Sequence, residues 1–307
     1  MSALATHATE YLRLRRALGH ELADAARLLP RFVAYLDESG AQTITVDLAL
    51  DWVQRPDANP VSSVWFRRMV VARGFARHMS GIDAATQIPP LGLVTFQQHW
   101  RPPFIYSEQD IEALLAVVPR LTRTPFRHAT LQTLIGILAA TGMRVGEAVR
   151  LQRRDVDLTD AVLTIRASKF NKSRQLPLHA STVDALAAFV DIRDRQVPRP
   201  GSPTFFVSRV GTAMICSDFG ATFRRLLAST GVGAESPVRP RVHDIRHSFA
   251  VHTLLRWHHD GEDVNALLPR LSTYLGHLTP AYTYWYLSAA PELLALAAAR
   301  LEAGERP

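Results

Sequence analysis

Two histidines and an arginine fall within five residues at His243-Asp244-Ile245-Arg246-His247, in a stretch that otherwise reads as apolar helix. His243 and Arg246 are three positions apart, so on a helix they leave the same face one turn apart. An imidazole and a forked guanidinium there suit an anionic, oxygen-rich group, and a phosphodiester is the obvious candidate. Downstream, Leu275-Gly276-His277 adds another imidazole, and Tyr286 follows it nine positions later. A phenol so placed can attack phosphorus and hold it covalently. Tyr282 and Tyr284 are plausible nucleophiles on the same chemical grounds. A blander reading is a buried helix whose polar side chains are satisfied internally. A zinc-dependent hydrolase is a further alternative, because His243 and His247 have the i, i+4 spacing of a helical zinc site. Against it, the protease motif needs glutamate in its second position, where this chain has Asp244, and Arg246 would set a cation beside the metal.

A separate block, Ala140-Thr141-Gly142-Met143-Arg144-Val145-Gly146-Glu147, sets another arginine just beyond a buried helix. Glu147 is one turn from Arg144, close enough to orient its guanidinium or to form an exposed intrahelical ion pair. The order of the two blocks, with His-x-x-Arg-His, then Leu-Gly-His, then Tyr286, resembles the catalytic signature of the tyrosine recombinases, the phage-integrase family. The resemblance covers roughly residues 105–290, and more loosely the helical segment before them. The interval between Arg246 and His277 is longer than is usual for that family.

The resemblance implies a site-specific DNA recombinase of the integrase or transposon-recombinase type, working through a 3′-phosphotyrosyl intermediate. Its catalytic set maps onto Arg144, Lys169, His243, Arg246, His277 and Tyr286, with Glu147 in support. Spacing from His277 selects Tyr286, with Tyr284 as the fallback. Lys169 is the expected general acid on a hairpin, and Lys172 a phosphate contact. His243 is the expected acceptor of the tyrosine proton, with His277 able to share that task. The implied partners are double-stranded DNA and further copies of the chain, as a tetramer in synapsis. No cofactor and no metal ion are expected. The runners-up are a type IB topoisomerase-like nicking-closing enzyme and a non-catalytic DNA-binding protein.

Bulk composition is compatible with this reading. The chain has 307 residues, a formal charge of +7 and 47% hydrophobic residues, enough for two cores and too apolar for a disordered chain. The charge favours a polyanionic partner. Of 35 basic side chains only Lys169 and Lys172 are lysine, and both lie in one short segment. A proton donor must be able to lose its proton, which arginine essentially cannot. The single Cys216 excludes an internal disulfide framework and reads as a packing residue. No apolar run has the length of a membrane span and no signal-peptide pattern opens the chain, so a cytoplasmic, nucleoid-associated protein is expected. No P-loop or dinucleotide fingerprint occurs.

The elements that must hold these groups are mainly α-helical with a small β-hairpin or sheet, an α+β class. Residues 1–88 read as a small helical domain with helices near 10–18, 22–36, 45–54 and 62–79, and the resemblance implies that it is a DNA core-binding domain. In the last of these, Arg67, Arg68, Arg73 and Arg77 are expected to lie against DNA backbone. Residues 89–104, bounded by proline pairs, read as a linker. The resemblance implies that residues 105–307 form the catalytic domain. It should hold a helix capped by Ser107 and a buried helix near 127–140 closed by Gly142. Strands follow at 161–167 and 174–178, with another at 205–208. Further helices are expected at 181–195, 218–229, 243–258, 263–274 and 291–303.

Overall fold

A computed structural model describes residues 2–20, 22–57, 62–96, 102–166, 173–277, 279, 283, 284 and 286. Lys169, Lys172 and the expected helix at 291–303 lie outside the described residues. The chain divides into two compact units, Met1–Trp100 and Arg101–Pro307.

The first unit holds four helices, α1 (Ala3–Ala17), α2 (Ala23–Glu38), α3 (Val46–Val53) and α4 (Val64–Met79). Helix α1 begins well before Glu10 because Ser2 caps it, its Oγ accepting from the Ala5 amide at 3.1 Å. Thr45 caps α3 in the same way through the Leu48 amide. Leu29, Phe32, Leu36, Ile44, Met69, Ala72 and Phe75 form the buried interior. One expected DNA contact is corrected here. Arg68 is buried, donates to the Trp52 carbonyl and pairs with Asp57 at 2.7 Å, while its guanidinium lies over the Trp52 ring. Its inward phase on α4 makes it a core cation whose fork is taken up inside the unit rather than offered to a phosphate. Arg73 donates to the carbonyls of Pro89 and Pro90, and Arg67 lies 3.7 Å from Asp24. Arg77 is exposed.

The second unit is built around α6 (Pro125–Thr141). That helix packs against α5 (Glu108–Leu121), α7 (Val145–Arg150), α8 (Ala180–Gln196) and α10 (Asp244–His259). A helix with this many neighbours must be apolar over most of its surface, and Leu131, Leu134, Ile135 and Leu138 are all buried. Ser107 and Asp110 form a reciprocal capping box at the start of α5. Helices α9 (Cys216–Thr230) and α11 (Val264–Leu275) complete the helical set among the described residues.

Three short antiparallel strands lie in the order β1 (Val156–Asp157), β2 (Val162–Ile165), β3 (Arg174–Pro177), with Leu163 opposite Leu176. Two residues are too few to show any alternation, which hides β1 in the sequence. The strand expected at 205–208 is instead a loop with two isolated bridges, Gln152 with Thr204 and Val207 with Ala213. Phe205, Phe206 and Val207 are buried in succession rather than alternately, because both phenylalanines pack on Phe189. Cys216 is exposed at the first turn of α9, and so is not the packing residue expected.

Helices α6 and α11 both end in the left-handed conformation, as α9 does at Gly231. Helix α6 closes on Gly142 with φ +59°, and α11 closes on Gly276 with φ +71°. A Cβ on Gly142 would fall 2.4 Å from a ring carbon of Phe249. Gly142→Ala should therefore lower the unfolding free energy by about 2–4 kcal/mol, combining left-handed strain with overpacking. Urea denaturation of the variant checks this, and an unchanged midpoint would contradict it.

Candidate active site

The polar groups singled out in the sequence converge on those two helix ends. Arg246 lies on α10 and is 3% exposed. Its Nη1 donates to the Gly142 carbonyl at 2.9 Å and its Nη2 to the Leu275 carbonyl at 2.7 Å. Both acceptors belong to helix C-termini, where carbonyls lack an intrahelical partner and the dipole is negative. Arg144 precedes α7 in extended backbone conformation and donates from Nη1 to Glu147 Oε1 at 2.8 Å. Its Nη2 reaches the Gly276 carbonyl at 3.3 Å. Glu147 in turn accepts the Arg144 backbone amide at 2.9 Å, so the side chain orients the arginine that precedes it.

A third guanidinium completes the cluster and was not singled out in the sequence. Arg174, at the start of β3, forks both oxygens of Glu147 and donates from Nε to the Tyr274 carbonyl at 2.7 Å. The signal that could have found it is its phase: it shares the inward face of β3 with the buried Leu176. Burial pushes the Glu147 carboxyl up, but hydrogen bonding and charge from Arg174, then Arg144, outweigh it and hold the group at about 2. Burial, then the neighbouring Arg144, hold Arg246 at about 10, still charged at neutral pH. Three guanidiniums thus gather around one carboxylate, and the cluster carries two uncompensated positive charges.

Tyr286 is 2% exposed, with its hydroxyl 3.2 Å from His247 Nδ1 and within the field of the Arg246 charge. Burial raises its pKa, while Arg246 and then Arg144 pull it back. The fallback Tyr284 is 48% exposed. His277 follows Gly276 directly; its Nδ1 lies 2.8 Å from Thr283 Oγ1 and its ring stacks near Tyr286 at 6.1 Å between centroids. His243 sits at the start of α10, its ring edge-on to that of His247 at 4.8 Å. So Arg144, Glu147, Arg246, His277 and Tyr286 come together, with His243 beside them. His247 and Thr283 join as contacts that spacing did not predict.

Burial lowers the pKa of His247 to about 3, assisted by the charge of His243, Arg241 and Arg246. Burial and Arg246 lower that of His277 to about 4. His243 is driven in the same direction by desolvation and Arg246, but its ring is exposed and water screens the effect. The imidazoles are therefore neutral acceptors at pH 7. Among the described residues no three His, Cys, Asp or Glu side chains gather to hold a metal ion. A buried phenol between an acceptor and two guanidiniums is arranged to deliver its oxygen to an anion and lose its proton.

Comparison with known proteins points the same way. Residues 105–292 match the model of the phage integrase family. The chain is 42% identical over 309 aligned residues to a putative integrase/recombinase, y4rB, of Sinorhizobium fredii, covering 98% of each protein. It is 29% identical to the tyrosine recombinase XerC of Herpetosiphon aurantiacus, over 90% of this chain and 87% of that one. Among solved structures, the Tn1549 transposon integrase in complex with transposon right end DNA aligns with a TM-score of 0.63 at 16% identity, covering 96% of this chain and 98% of that one. A lambda integrase tetramer bound to a Holliday junction aligns at 0.59 and 13% identity, over 92% and 76%. At these identities the two structures establish likeness of fold.

The imidazole environments set a pH dependence. Their folded-state values lie below the usual 6.5, so the unfolded chain binds more protons once the pH drops under about 6.5. Stability is then complete above that pH and declines toward pH 3–4 as His247 and His277 charge. Each should cost on the order of 1 kcal/mol per pH unit in that window. Urea midpoints at pH 7.5 and 5.5 check the loss, and NMR of the free protein should show both rings still neutral at pH 5.5.

Proposed function

The chain belongs to the phage integrase family, and from that premise we propose that it is a site-specific DNA recombinase, cleaving and rejoining strands through a covalent bond to Tyr286. The observation that carries this reading is the Tyr286 hydroxyl held between His247 and Arg246, beside a cationic cluster that a single carboxylate, Glu147, leaves positive. A scissile phosphate matches that cluster in charge and in its demand for forked donors.

In the proposed step the Tyr286 oxygen bonds to phosphorus as the bond from phosphorus to the 5′-oxygen breaks. Negative charge concentrates on the non-bridging oxygens, where the forks of Arg144 and Arg246 stabilise it. The phenol proton passes to a neutral imidazole. His247 is the nearest acceptor by its 3.2 Å approach, where the motif had suggested His243. His243 and His277 donate or accept alongside. Lys169, outside the described residues, is the proposed donor to the departing 5′-oxygen. The phosphotyrosyl linkage keeps the energy of the broken bond, so another 5′-hydroxyl can reverse the attack without a nucleotide cofactor.

Double-stranded DNA is the proposed partner in this reading, with Arg67, Arg73 and Arg77 on α4 as candidate backbone contacts. Assembly as a tetramer during synapsis, and work at the nucleoid in the cytoplasm, belong to the same proposal. The lambda integrase structure is a tetramer on a Holliday junction, which supports the first of these. No helix among the described residues is long and apolar enough to cross a membrane.

A nicked suicide duplex carrying the natural site traps the intermediate. Tyr286→Phe should abolish the covalent adduct, whereas Tyr284→Phe should keep it. Arg246→Lys and Arg144→Lys should each slow adduct formation by about 10²–10³-fold, the usual loss on removing a donor to transition-state charge. An adduct that survives Tyr286→Phe refutes the assignment.

A further inference from the structure

Arg174 takes no part in the proposed strand cleavage, yet all three of its guanidinium nitrogens are engaged. Nε donates to the Tyr274 carbonyl at 2.7 Å, Nη1 to Glu147 Oε1 at 3.1 Å and Nη2 to Glu147 Oε2 at 2.8 Å. Its side chain is 11% exposed, against 26% for Arg144. Three of its five N–H donors are committed inside the protein, two of them to the Glu147 carboxylate. On one flank the chain passes so close that a Cβ on Gly276 would fall 2.9 Å from Nη1. Arg174 thereby touches the three segments that bracket the site: its own strand β3, the start of α7, and the end of α11 just before His277.

Charge balance gives these contacts their consequence. Arg144 and Glu147 alone would be a neutral pair, a poor lure for an anion. Glu147 is 2% exposed, and an ionised carboxylate that deep needs more than one partner. Sharing it between two guanidiniums keeps it ionised and leaves Arg144 with its positive charge uncancelled. The groups facing this carboxylate are Arg144 before α7, Arg174 from β3 and, at longer range, Arg246 from α10.

We propose that Arg174 is a positioning residue for strand cleavage: by forking the Glu147 carboxylate it fixes the Arg144 guanidinium and keeps the phosphate pocket cationic. This rests on the phosphoryl-transfer reading of the site. Its action runs through Glu147, which makes it separable from a general structural role.

The test is single-turnover adduct formation on the suicide duplex between pH 5.5 and 8.5, for R174Q, R174K, E147Q and R174Q/E147Q. R174Q should form adduct about 10–100-fold more slowly at pH 7.5, and its rate should depart from the wild-type pH profile toward pH 5.5 as Glu147 takes up a proton. R174K keeps the charge without the fork, so it should recover part of the rate. On the E147Q background, adding R174Q should change the rate less than twofold. R174Q within threefold of wild type at every pH, or losses that multiply in the double variant, would overturn the proposal. Should R174Q fail to fold, R174K and its double with E147Q are judged by the same criteria. Carboxyl NMR of the DNA-free protein separates this from the broader reading. Glu147 should titrate above pH 4 in the Arg174 variants and below pH 3 in wild type. Equal titration refutes the role of Arg174, while absence of any Tyr286 adduct in wild type refutes strand cleavage instead.

Discussion

Burying a guanidinium costs several kcal/mol unless each of its donors finds an acceptor. In this protein the acceptors come from the frayed ends of two helices. Gly142 and Leu275 give their carbonyls to Arg246, Gly276 to Arg144, and Tyr274 to Arg174. Helix C-termini carry partial negative charge and unpaired carbonyls, so they hold cations without neutralising them. A carboxylate in each place would have held them as well, but would have removed the charge that the site needs. Among the described residues only Glu147 does so, and it is divided between two arginines.

The surplus of charge and the neutrality of the imidazoles have one origin. Desolvation disfavours added charge everywhere in the cluster, so His247 and His277 stay unprotonated beside the arginines, and Arg246 is held below its ordinary value. In the proposed reaction an incoming phosphodiester would relieve that repulsion, and the phenol beside it would find an acceptor for its proton. Support for this arrangement comes from α6, packed against four other helices, whose left-handed end sets the Gly142 carbonyl against Arg246.

Much of the scaffold was legible because its signals are local. Ser107 and Asp110 cap α5, Gly142 ends α6, and apolar spacing marks most of the helices to within a few residues. The failures share a cause. Strand β1 is too short to have a period, the run at Phe205 is buried by contacts with Phe189 rather than by pairing, and Arg68 is turned inward by Trp52 and Asp57. Each depends on a partner remote in the chain or on which face a helix turns inward. Charge and spacing alone make an arginine on a helix look like surface.

The same division runs through the site. Spacing by itself set His243 and Arg246 on one helix face, because a helix fixes neighbours three or four residues apart, and the order of the motifs joined Arg144, His277 and Tyr286 to them through the resemblance to the tyrosine recombinases. Which imidazole meets the phenol was decided by tertiary structure: His247 faces Tyr286 because the chain returns across α10, and no spacing rule counts that return. Arg174 entered the same way, by a strand laid against the end of α11. A linear chain encodes what lies on one turn, whereas a shared carboxylate between α7 and β3 exists only once both have been packed against each other.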